Sequence, residues 1–231
     1  MRRAHGFTLV EVMVAIAVLS LLALMGWRGI ETVLSTRIQV TDKTARVAQW
    51  QTGLAQWRAD LQAMTEMGSV PALDFDGLVL RITRVDRSLP GQPLRVVAWS
   101  RRVIADQHQG LGSWVRWQSP PLSKRSDLAL AWAQAQRWAR NPSQEDISRE
   151  VAIAGIESWQ LLYFRKNSWS NPLSTPDAGP ATPAGAAAPI ATTAPALPEG
   201  IRLVLRVREE AGIQGTLTQD WARLTDGDAR P

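Results

Sequence analysis

Cysteine is absent from the 231 residues, which rules out a disulfide framework, a thiolate metal site and a cysteine nucleophile at once. Histidine is scarce as well, occurring only as His5 and His108. His108 lies in the polar, turn-like stretch Asp106-Gln107-His108-Gln109-Gly110 with no second ligand at metal-binding spacing, so it reads as a solvated loop residue. No G-x-S-x-G elbow, phosphate-binding loop or G-x-G-x-x-G fingerprint occurs; Gly110-Leu111-Gly112 lacks the third glycine and precedes strand-like sequence. Lysine is confined to positions 43, 124 and 166, and the net charge of +5 includes Arg2 and Arg3 at the extreme N-terminus. The modest remainder describes a solvated surface and calls for no nucleic acid partner. These gaps predict a protein that is not an enzyme and holds no cofactor or metal.

Two further signals of chemistry resolve into structure. Asp74-Phe75-Asp76-Gly77 has the opening of a calcium loop without its remaining ligands, so a turn before the first strand is expected. Tryptophan is abundant, with eleven residues, and Trp99, Trp114 and Trp117 lie among Arg95, Arg101, Arg102 and Arg116. Such interleaving can make a base-stacking platform. On one strand, however, Trp114 and Trp117 point to opposite faces, so core and subunit-contact roles are expected instead.

The N-terminus carries the strongest pattern. Phe7 to Trp27 reads FTLVEVMVAIAVLSLLALMGW, long enough to cross a bilayer as a helix, preceded by two arginines that orient it with its N-terminus in the cytoplasm. No small-x-small cleavage site follows the apolar run, which argues against an ordinary signal peptide. Glu11 interrupts the run. A carboxylate in an apolar span costs roughly 2.5–3.5 kcal/mol when central, so it needs a partner. The simplest alternative is a single-pass anchor with Glu11 near one interface.

The basic leader, Gly6-Phe7-Thr8-Leu9-Val10-Glu11 and the apolar run resemble the class III signal of type IV pilins and pseudopilins. The resemblance implies cleavage by prepilin peptidase after Gly6 and N-methylation of Phe7, with Glu11 as the fifth mature residue. It also implies that Glu11 neutralises the N-terminal amine of a neighbouring subunit during assembly.

Beyond the span, Val33, Val40, Val47, Leu54 and Leu61 recur at heptad spacing, with Trp50, Trp57 and Met64 as a second set. One helix is predicted from about residue 8 to 67, ended by Gly68 and Pro71 and roughly 90 Å long. Trp50 and Trp57 are bulky for a two-stranded seam, so packing on the chain's own sheet is expected. Strands are predicted over 77–86 and 94–104, joined by a turn at Pro90-Gly91-Gln92-Pro93, then over 113–118, over 151–165 with a bulge at Gly155, and over 201–208. Residues 127–140 fit a helix or a strand equally well. Seven of the fourteen prolines fall between Asn171 and Pro198, which predicts a disordered inserted loop over 171–199.

The strings VAIAGIESWQLLYF from Val151, then Trp169, then LPEGIRL from Leu197, are similar to the J-type minor pseudopilin of type II secretion systems. That resemblance implies an α+β, pilin-like fold, with a leader at 1–6, a membrane and filament-core helix at 7–29, its amphipathic continuation at 30–67, a β-rich periplasmic domain at 68–225 and a frayed tail at 226–231. It implies I-like and K-like minor pseudopilins as partners, a single-pass position in the bacterial inner membrane, and a place near the tip of the filament that exports folded proteins. A minor pilin of a type IV pilus, and a periplasmic hydrolase on an uncleaved anchor, are the alternatives.

Overall fold

The structure is a computed structural model that describes residues 8–67, 70–104, 112–174, 197–207 and 214–223. Gly6, Phe7, His108, Gly68, most of the Pro/Ala-rich stretch (175–196) and the tail at 226–231 lie outside the described residues. The chain divides into two compact units, one ending at Val47 and the other beginning at Ala48.

In the first unit the structured element is the N-terminal part of helix α1, whose full extent is Leu9–Gln62. Its apolar side chains find no cover of their own: Leu19 is 65% and Trp27 71% exposed. A helix that is apolar on every side is stable only when lipid or other helices surround it.

The second unit is built on two antiparallel sheets. β1 (Leu73–Phe75), β2 (Val79–Val85), β3 (Leu94–Val103), β4 (Gly112–Gln118) and β5 (Glu150–Ile156) lie in sequence order in the first sheet. The second has the order β7-β6-β8-β9, from β6 (Ser158–Arg165), β7 (Ser168–Ser170), β8 (Gly200–Val207) and β9 (Gly215–Ala222). Helix α2 (Arg125–Arg140) and the short α3 (Gln144–Ser148) connect β4 to β5.

Two cores share the first sheet. On one face, Trp50, Trp57 and Leu61 of α1 pack against Leu80, Val97, Trp99 and Trp114, and the cluster runs on to Leu161, Ile201 and Leu203 of the second sheet. On the other face, Val79, Val96, Val115 and Trp117 meet Leu128, Trp132 and Trp138 of α2. Trp114 and Trp117 therefore do point into different cores, and Trp50 and Trp57 do pack on the chain's own sheet. Being covered on both faces, β4 is buried from Gly112 to Trp117, so no polar alternation marks it in the sequence.

Several boundaries differ from the sequence reading. α1 stops at Gln62 and not near residue 67, because the chain there turns to pair with β2: the Thr65 amide donates to the Thr83 carbonyl at 2.9 Å and the Val85 amide to the Ala63 carbonyl at 3.1 Å. Residues 151–165 form two strands in different sheets, β5 and β6, exchanged at Glu157, whose amide donates to the Arg206 carbonyl at 2.8 Å. The irregularity in β5 falls at Ile153, between the pairs Trp114 with Ala154 and Val115 with Ala152, and not at Gly155, which pairs with Ser113. Residues 127–140 are helical.

Candidate processing and assembly site

Thr8 opens α1. Its hydroxyl accepts from the Glu11 amide at 3.3 Å, and its carbonyl from the Val12 amide at 3.3 Å. This is N-cap geometry, and it places Glu11 third in the first turn, where an acidic side chain also meets the positive end of the helix dipole. The Thr-x-x-Glu spacing is that of a capping box, a local reason for these two residues that the sequence reading missed. Glu11 is exposed, and among the described residues no cation pairs with it. From Leu9 to Trp27 the helix rises about 28 Å, close to the hydrocarbon thickness of a bilayer, and Trp27-Arg28 supplies the aromatic and basic pair typical of an interface.

Polar side chains along this helix are silenced internally. The hydroxyls of Ser20, Thr32, Thr36 and Thr41 each donate to the carbonyl four residues back, at 2.8–2.9 Å. Such back-bonding hides a hydroxyl from an apolar surround, leaving Glu11 as the polar group of the span that still needs a partner.

The C-terminal turns of α1 are fastened by a site that sequence reasoning did not find. Asp60 is fully buried. Its Oδ2 accepts from Trp99 Nε1 at 2.9 Å and Arg116 Nε at 2.7 Å, while Oδ1 accepts from Arg116 Nη2 at 3.0 Å, Gln56 Nε2 at 2.9 Å and Arg84 Nη1. One carboxylate thus ties α1 to β2, β3 and β4. The Asp60 position on the same face as Trp57 and Leu61 was the available signal, because a charge on a buried stripe demands ionic partners. Close approach at Gly53 completes the docking: a Cβ there would sit 2.3 Å from Ile153 Cγ2.

Asp74 and Asp76 are both engaged by protein groups. Asp74 pairs with Arg81, and Asp76 Oδ1 accepts the amides of Leu78 at 3.0 Å and Val79 at 2.9 Å beside Gly77 at φ 91°. Burial alone would raise the Asp76 pKa, but these two amides, with help from Arg81 and Gln136, outweigh it and hold it below the ordinary value. The turn precedes β2, the first strand expected from the sequence; what the sequence reading missed is β1, whose three residues include Asp74.

Comparison with known proteins bears on the N-terminus first: a family model described as the prokaryotic N-terminal methylation motif matches residues 1–27. Over 221 residues the chain is 24% identical to type II secretion system protein J of Vibrio cholerae, covering 90% of this chain and 84% of that protein. Over nine-tenths of its length the chain is thus similar to a J-type pseudopilin, and its first 27 residues carry the methylation motif. Among solved structures, a chain of the GspK-GspI-GspJ complex from enterotoxigenic Escherichia coli aligns at 15% identity and a TM-score of 0.42, covering 77% of this chain and 96% of that one. The segment matched by the methylation motif contains the Gly6-Phe7 junction and Glu11, and it ends at Trp27.

Proposed function

We propose that this pseudopilin is a structural subunit near the tip of a type II secretion pseudopilus, where it helps initiate the filament that exports folded proteins across the outer membrane. It acts without catalysing a reaction. Prepilin peptidase cuts after Gly6 and methylates Phe7. α1 anchors the chain in the inner membrane with the β-rich unit in the periplasm, and I-like and K-like minor pseudopilins are its partners.

The reading rests on one observation above others: an exposed Glu11, without an ion-pair partner among the described residues, in the first turn of an apolar helix and inside the matched methylation motif. In a filament the cation it lacks is the amine at Phe7 of an adjacent mature subunit. That pairing removes the penalty of a lone charge in the apolar core and sets the axial register. Mass spectrometry of the native N-terminus is the direct test. A methylated Phe7 start that disappears in Gly6→Ala is expected, and an intact Met1 overturns the assignment. Co-purification with I-like and K-like subunits tests the filament, and failure of any ternary complex to form counts against the secretion role.

A further inference from the structure

Sheet edges expose unpaired backbone donors and acceptors, and folded proteins blunt them with short strands, bulges or cover. Four edges end the two sheets among the described residues: β1, β5, β7 and β9. β1 and β7 have three residues each, and β5 carries the irregularity at Ile153 and is buried from there to Ile156. β9 has eight residues in unbroken register with β8, without proline, lysine or bulge. Among the described residues it is the edge without such a guard.

Its polarity follows from the register. The Arg223 amide donates to the Glu199 carbonyl at 2.8 Å, which makes the odd-numbered residues of β9 the ones that bond to β8. The amides and carbonyls of Thr216, Thr218, Asp220 and Ala222 accordingly face away from the sheet, where the Asp220 carbonyl accepts from Gln219 Nε2 at 2.8 Å, a side-chain bond that an incoming strand would displace. Beside this edge runs a groove of ≈ 800 Å³ floored by Leu61, Met64, Leu197 and Trp221. Arg58 and Arg223 line it, against Glu66; Asp220 is neutralised by Arg202 in a two-bond pair at 2.7 Å. The Nε of Arg223 is buried without a hydrogen-bond partner.

We propose that β9 is a strand-addition site for a neighbouring subunit of the same filament, which lays an extended segment along Thr216–Ala222. The segment is apolar at alternate residues, which enter the groove, and it carries an acidic side chain facing Arg58 and Arg223. Backbone pairing supplies the contact and the groove supplies the selectivity. A filament neighbour is the occupant because an eight-residue edge covers well under the roughly 800 Å² per partner that independent association requires. A subunit already held alongside by its own anchor needs far less, since its effective concentration is high. The inference rests on the pseudopilin reading.

The absence of cysteine makes the test clean. Thr216→Cys, labelled with a benzophenone maleimide in the full-length chain in native membranes, is expected to cross-link to a strand of another pseudopilin. Adding Thr218→Pro, which deletes an outward amide and leaves the β8 ladder whole, should lower the yield about tenfold, and Arg223→Glu should lower it several-fold. Val33→Cys on α1 reports filament entry independently. Cross-links from Val33 but none from Thr216, or a Thr216 yield indifferent to Thr218→Pro, overturn the strand-addition site while the pseudopilin reading stands. Silence from both positions overturns both.

Discussion

Removing the Asp60 carboxylate deprives Arg84 and Arg116 of the fully buried anion they share and leaves the Trp99 indole unsatisfied. A broken buried pair costs about 3–5 kcal/mol, far more than an exposed one. Asp60→Asn is therefore expected to lower the unfolding free energy of the full chain, from urea titration in detergent, by that order, and a change under about 1 kcal/mol would show that the carboxylate is not holding α1. Asp86 acts through its charge in a measurable way. Its hydrogen bonds from Ser88, then from Arg95, pull its pKa down to about 2 from 3.8, against a smaller opposing effect of burial. Its folded pKa lies below the unfolded value, so its contribution is complete above about pH 4 and is lost as pH falls towards 2. Allowing for solvent screening, about 1–2 kcal/mol is at stake. Asp86→Asn should flatten the stability profile between pH 4 and 2 and leave its shape near pH 7 unchanged.

Helix α2 shows what separates two readings of one segment. Leu128, Ala131, Trp132, Ala135, Trp138 and Ala139 are buried at spacings of three and four, while Leu130, which strand alternation would bury with Leu128, is 68% exposed. Trp138 also donates Nε1 to Glu150 Oε2 at 2.6 Å. Trp138→Ala should cost about 3–5 kcal/mol, whereas Leu130→Lys should stay within about 0.5 kcal/mol; equal costs would contradict the helical placement. The contrast with β8 is instructive. Ile201, Leu203, Leu205 and Val207 alternate cleanly because β8 faces solvent on one side, so it was legible from sequence. β9 was not, because Leu217 and Trp221 are only half-buried and Thr, Gln and Asp fill the rest. β7 escaped notice because its three residues depend on a tight turn in which Lys166 and Asn167 take φ 48° and 61°. The apolar span and the lone charge of Glu11 were legible because membrane thickness and composition constrain them; the roles of Gly6, Phe7 and Glu11 came from the family resemblance alone. The Asp60 site was not legible, since Arg84, Trp99 and Arg116 meet it only through tertiary folding.

At the scale of the whole molecule, two opposing effects act on Glu11. Insertion into lipid is easier without a carboxylate, by up to roughly 3 kcal/mol at the bilayer centre and less near the edge where Glu11 sits. An ordinary anchor would therefore gain from Glu11→Val and would lose nothing else. A filament subunit would gain the same stability in the membrane but could no longer satisfy its neighbour's amine, and would lose the register that the charge pair sets. Glu11→Val is expected to be cleaved after Gly6, to accumulate in the membrane at or above the wild-type level, and to enter filaments at least tenfold less efficiently. Glu11→Asp, with its carboxylate drawn back by one methylene, should recover part of that loss. Cross-linking yield from Val33→Cys in each background measures entry, and normalisation to membrane-bound protein separates it from insertion. Unchanged entry in Glu11→Val would show that Glu11 serves only to cap α1 beside Thr8.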